Sequence, residues 1–157
     1  MEIKLGNFND EQVKELLAYH LKGMHESSPP GHVFALDWSA LQNPEISFYS
    51  GYVNDGLVVI GALKALGDGT GELKSMRVAE GQAGKGYGAA LLVFLIGEAR
   101  RRGYWRVSLE TGSGAAFEAA LALYQKHGFI EGEEFGGYSK TEFSRLFHLK
   151  LSNTPLR

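Results

Sequence analysis

The chain has 157 residues, a formal charge of -2 and no cysteine. That length suits one domain, residues 1–157, with a proper core; the charge argues against a nucleic-acid binder that relies on a basic field; the missing thiols exclude disulfides, thiolate catalysis and cysteine-based zinc sites. No charged-then-apolar leader opens the sequence and no apolar run approaches the ~18 residues of a membrane span, so a soluble, cytoplasmic protein without membrane partners is expected.

In chain order, residues 1–5 alternate as a short strand, and Asn9 or Asp10 can cap a helix with Val13, Leu16, Leu17, His20 and Leu21 on one side, which Gly23 should end or loosen. Pro29 and Pro30 stiffen a loop before an apolar turn holding Val33, Phe34, Leu36, Trp38 and Leu41. His20, His25 and His32 fall here, but their spacings match no H-x-x-x-H pair and no cysteine assists, so no metal is expected. Residues 46–53 and 57–66 are β-rich runs joined by Asn54-Asp55-Gly56, a hairpin signal. The glycine-rich turn 67–71 leads into a buried strand at 73–78. A glycine loop follows, then a helix over 87–102 with Leu91, Leu92, Leu95 and Ile96 on one face, its basic end Arg100 to Arg102 complementing the dipole. Residues 104–110 return as a strand, which after such a crossover should run parallel to the strand ending near Val78. A second helix, 115–127, carries Phe117, Leu121 and Tyr124 and is stopped by Gly128. Phe129 restarts a strand, 131–145 is a polar loop or hairpin, 147–151 closes the sheet and 152–157 form a tail.

The loop before the central helix is the most informative stretch. Gly81, Gly84, Gly86 and Gly88 let successive backbone N–H groups turn toward one point at a helix N-terminus, an anion site suited to a phosphate or pyrophosphate, with Lys85 as a mobile cation. It is not a Walker loop, because no Ser or Thr follows the lysine at the required offset. Nor is it a Rossmann loop, because Gly84, Gly86 and Gly88 give G-x-G-x-G.

The stretch resembles the acyl-CoA loop of the GNAT acetyltransferases, Q/R-x-x-G-x-G/A, with Gly86 and Gly88 at its two glycine positions and Ala83 where the leading Gln or Arg would stand. The run Leu123 to Phe129, L-Y-Q-K-H-G-F, resembles the second signature of that family, a tyrosine-bearing helix ending in Gly-Phe, and it follows in the expected order. Elements such as S-P-P, G-E-L-K-S-M-R and S-L-E-T-G-S are similar to a group of small bacterial members. The resemblance covers nearly the whole chain. It implies an α/β fold (α+β in some schemes) with a mixed, mostly antiparallel central sheet of six to seven strands, a splayed parallel pair and about four flanking helices.

It also implies a chemistry: acetyl transfer from acetyl-CoA, as co-substrate and without a metal, to a primary amine of a small molecule or amino acid in a ternary complex. Met76 and Val78 would pair with the pantetheine. Ala83, Gly84, Lys85, Gly86, Tyr87, Gly88 and Ala89 would meet the diphosphate. Phe117 stands where many members place a CoA-holding asparagine. Tyr124 matches the tyrosine that serves the CoA sulfur, and the Met76 N–H is a candidate donor to the thioester oxygen. Glu72, buried beside a strand bulge, is the first candidate base, Glu110 the second, and water alone a third route. His25, His32, Asp37, Trp38, Tyr49 and Tyr138 are candidates for the acceptor site, and a homodimer is the ordinary assembly. A non-catalytic acyl-CoA or metabolite sensor of the same fold is the alternative.

Overall fold

Chain-neighbour pairing builds the first half of a seven-stranded sheet in the computed structural model, which describes residues 1–32 and 38–151. Strands β1 (Glu2–Leu5), β2 (Ile46–Val53), β3 (Gly56–Ala65) and β4 (Thr70–Val78) run antiparallel in that order. The β2–β3 hairpin turns on Asn54 and Asp55, at φ 50° and 66°, while Val53 already pairs with Gly56. Two positive φ angles make the two-residue turn whose twist matches its strands, and Asn and Asp tolerate them.

Helix α1 (Glu11–Ser27) is capped by Asp10, whose side chain accepts the Gln12 N–H, and passes straight through Gly23. The expected break at Gly23 is therefore corrected. Helix α2 (Tyr87–Arg101) joins β4 to β5 (Arg106–Thr111), the parallel neighbour. β5 starts later than expected because the Tyr104 N–H still closes α2 on Ala99 O. The expected second helix opens as a 3-10 turn, Ala115–Phe117, and becomes α3 (Glu118–Lys126). The short β6 (Ile130–Glu131) and β7 (Arg145–Lys150) finish the sheet in the order β1-β2-β3-β4-β5-β7-β6. Among the described residues there are three α-helices and two 3-10 turns, the other turn being Ala40–Gln42, where about four helices were expected.

The sheet is covered on both faces. Leu91, Leu92, Leu95 and Ala99 of α2 are fully buried on one side with Leu63, Leu73, Val107 and Phe147. Val13, Leu16 and Leu17 of α1 pack on the other with Leu41, Phe48 and Ile60. The apolar turn's Val33, Phe34 and Leu36, together with Asp37 and the tail 152–157, lie outside the described residues. No helix among the described residues is long and apolar enough to cross a membrane.

Candidate active site

The parallel pair is joined only at its root. β4 and β5 register at Thr70 with Arg106, Gly71 with Val107 and Glu72 with Ser108, and then part, so the backbone of β4 from Leu73 to Val78 has no strand beside it on the β5 side. Unpaired strand backbone of this kind is a template for an extended ligand that adds amide hydrogen bonds. β5 is carried away by β7, with which it pairs along its whole length.

A bulge lies at the level of this opening. Between the pairs Ala62–Lys74 and Ile60–Arg77, two residues of β4, Ser75 and Met76, oppose Gly61 alone, and Ser75 takes a φ of 56°. The buried Ser75 hydroxyl has no partner among the described residues. In a regular strand positions 74 and 77 would face opposite sides. The extra residue puts Glu72, Lys74 and Arg77 all on the α1 face, opposite α2.

The mouth of α2 closes one end of the opening. Gly81, Gly84 and Gly86 have φ of 80°, 78° and 85°, and a Cβ at any of them would meet nothing within 4 Å. This is backbone laid open to a ligand. The first helical bond there is Ala90 N–H to Gly86 O at 3.0 Å, leaving the N–H groups of Tyr87, Gly88 and Ala89 to point outward at the positive end of the helix dipole. Lys85 is exposed and donates to Gln82 Oε1 at 3.1 Å, and Ala83 is exposed beside them.

On the α1 face the opening is lined with charge. Glu72, only 3% exposed, receives hydrogen bonds at the same oxygen, Oε2, from Lys74 Nζ at 3.1 Å and from the Tyr138 hydroxyl at 2.6 Å. Burial and the Glu72 charge push the Tyr138 phenol well above its ordinary range. Glu110 has a different environment: burial raises its carboxyl to about 7, against a hydrogen bond from Ser144 and the attraction of Lys74. The buried Ser144 hydroxyl in turn meets His32 Nδ1 at 3.4 Å. From the other face Tyr124 reaches toward this cluster, its phenol raised to about 12, chiefly by burial and with opposing influences from Arg77 and Glu110. Its ring lies edge-on to Phe129 at 5.9 Å.

The structure thus brings Glu72, Glu110, Tyr124 and Tyr138 to one opening, with His32 linked through Ser144. Of the other acceptor candidates, Tyr49 and Trp38 are engaged elsewhere, and Asp37 lies outside the described residues. Tyr49 is buried in the core against Phe94, Trp38 packs edge-on to Phe8 and donates to Phe8 O at 3.3 Å, and His25 is exposed at the end of α1. Phe117 is buried with its ring edge-on to Phe143 at 5.5 Å. Sequence reasoning missed Lys74, Arg77 and Ser144. The signal for the first two was present, because three charges in the otherwise buried run G-E-L-K-S-M-R need a reason.

The profile of the Acetyltransferase (GNAT) family matches residues 12–129. The chain belongs to the GNAT acetyltransferases. It is 42% identical over 149 residues to YedL of Escherichia coli K12, covering 95% of this chain and 94% of the relative, and 42% identical over 151 residues to YsnE of Bacillus subtilis 168, covering 96% and 100%; both carry the name uncharacterized N-acetyltransferase. A Klebsiella pneumoniae structure described as a candidate acyl-CoA N-acyltransferase superposes with a TM-score of 0.79 at 26% identity, covering 96% of this chain and 97% of the other. An aminoglycoside 6'-N-acetyltransferase complexed with coenzyme A shares the GNAT fold at a TM-score of 0.71 and 16% identity, covering 99% of each chain. The protein is an acyltransferase of the GNAT type, and the parted β4–β5 pair and the open glycine mouth fit an acyl-CoA. Among the described residues no group of three His, Asp or Glu side chains could hold a metal.

Proposed function

We propose that the protein transfers the acetyl group of acetyl-CoA to a primary amine of a small molecule or amino acid, directly and within a ternary complex. The observation that carries this reading is the opening of β4 from β5 beyond Glu72 and Ser108, with an exposed glycine mouth at one end and Glu110 and Tyr124 on its sides. The pantetheine pairs with the backbone of Met76 and Val78. The diphosphate takes the N–H groups of residues 83–89, with Lys85 as a mobile cation, and Phe117 offers the coenzyme apolar contact in place of a hydrogen bond.

The amine attacks the thioester carbon as the Met76 N–H, at the bulge, steadies the oxygen that gains charge. A C–N bond forms, the C–S bond breaks, and two protons move. Glu110 takes the one leaving the nitrogen, and the Tyr124 hydroxyl supplies one to the departing sulfur. A carboxyl near 7 is half ionised at neutral pH and suits the first task; a phenol near 12 stays protonated and suits the second. Glu72 is the poorer base. Its Oε2 is taken up by Lys74 and Tyr138, and we assign it to holding these two side chains in place.

Calorimetry with acetyl-CoA followed by thiol release over a broad amine panel tests the reading. Binding with release on at least one amine is expected. Binding without any release makes the protein a non-catalytic acyl-CoA sensor, and no binding removes the acyl-CoA reading altogether.

A further inference from the structure

We infer that the acceptor carries a carboxylate held by the guanidinium fork of Arg77, so that the amine acetylated belongs to an amino acid or a similar zwitterion. This rests on the acetyl-transfer reading and narrows its acceptor. Arg77 stands on the α1 face of β4, paired in register with Ile60 and opposite the face that α2 covers. Its Nε–H donates to His20 Nδ1 at 2.9 Å, and its Cζ lies 5.7 Å from the Tyr19 ring centroid. Neither partner is a carboxylate. His20 is 4% exposed and held neutral, so it orients the guanidinium without cancelling its charge.

Among the described residues Arg77 makes no ion pair, while Glu72, the nearest acid along β4, is held by Lys74. Tyr19 and Tyr124, and no carboxylate, are the ionisable groups that act on it, while burial works against its charge. A half-buried cation without a counter-ion is costly, and the cost is recovered when a ligand brings the anion. The two terminal nitrogens remain, with the planar fork that binds a carboxylate in two parallel hydrogen bonds.

The neighbouring helix makes room for this fork. A Cβ on Gly23 would lie 3.2 Å from an Arg77 terminal nitrogen, so any larger residue at this turn of α1 would press on the guanidinium. Keeping a glycine inside a helix costs about 1 kcal/mol against alanine. The position relative to the chemistry fits as well. The charges of both Arg77 and Glu110 act on the Tyr124 phenol, so the cation and the proton acceptor belong to the same opening. An amino acid with its carboxylate on Arg77 would bring its amine to that opening.

The test compares the twenty amino acids with their primary carboxamides in the thiol-release assay, on wild type, Arg77→Gln and Arg77→Lys, with acetyl-CoA affinity measured for each. The acids should exceed matched amides in kcat/KM by on the order of 100-fold, as loss of a charged hydrogen-bonded pair implies. Arg77→Gln should bring that ratio near one mainly through KM, Arg77→Lys should keep part of it, and acetyl-CoA affinity should hold in all three. The inference is overturned if amides match acids, if neither series reacts while other amines do, or if Arg77→Gln weakens acetyl-CoA itself. If acetyl-CoA does not bind at all, the parent reading fails; calorimetric binding of acids over amides to wild type and not to Arg77→Gln then decides the Arg77 site on its own.

Discussion

Burial raises both Tyr124 and Glu110, to about 12 and about 7, and where each ends relative to neutral pH assigns its task. Replacing Tyr124 by Phe removes one hydroxyl and keeps the ring against Phe129. It should lower kcat on the order of 100-fold, with acetyl-CoA affinity within about twofold, read by steady-state kinetics and calorimetry. With Glu110 as the base, kcat/KM should rise with pH through about 7 and level off above it, and Glu110→Gln should lose that limb along with most activity. Glu72→Gln should keep the limb. Its cost is in folding, because Lys74, with 8% of its side chain exposed, would be left without its counter-ion; about 3 kcal/mol in chemical denaturation is expected. Residue identity was the part of the site most legible from sequence where a motif fixed the spacing, as for Gly86, Gly88 and Tyr124. It was least legible where partners come from distant segments: that Tyr138 and Ser144 reach β4 and β5 depends on how residues 132–144 fold back, and no local pattern encodes it.

At the scale of the element, β4 holds the site because it is irregular. The bulge at Ser75 and Met76 places Lys74 and Arg77 on one face, and strict two-residue alternation, the only guide in the sequence, would have separated them. Gly61, opposite the bulge, leaves room for α2 and for the Met76 side chain. A Cβ there would lie 2.8 Å from Leu91 and 3.1 Å from Met76, so Gly61→Val should destabilise by about 1–3 kcal/mol and weaken acetyl-CoA binding together, measured by thermal unfolding and calorimetry. Gly23 shows the reverse case. Its helix-breaking tendency was readable, yet α1 continues to Ser27, since the buried stripe of Val13, Leu16, Leu17 and His20 outweighs one glycine. The hairpin, the central helix and the parallel return were legible because periodicity, turn residues and crossover length all pointed the same way.

Over the whole molecule, buried His20 and half-buried Glu110 set opposing pH dependences. His20 is lowered from 6.5 to about 4, so the unfolded chain binds its proton more tightly; this contribution to stability is complete above about 6.5 and is lost as pH falls toward 4. Glu110 is raised from 4.5 to about 7, so the folded chain binds that proton more tightly; its contribution is greatest below about 4.5 and is lost as pH rises through 7. Tm followed from pH 4 to 8 should fall less steeply on the acid side in His20→Gln, and less steeply on the neutral side in Glu110→Gln. The sheet order joins these sites: β4 parts from β5, so that α1, α2 and α3 all meet one opening. The most direct measurement of that arrangement is a crystal structure with CoA bound. The diphosphate should lie against the amides of residues 84–89, the pantetheine between β4 and β5, and the sulfur within hydrogen-bond reach of the Tyr124 hydroxyl. CoA seated elsewhere, or with its sulfur turned away from Tyr124, would contradict the account.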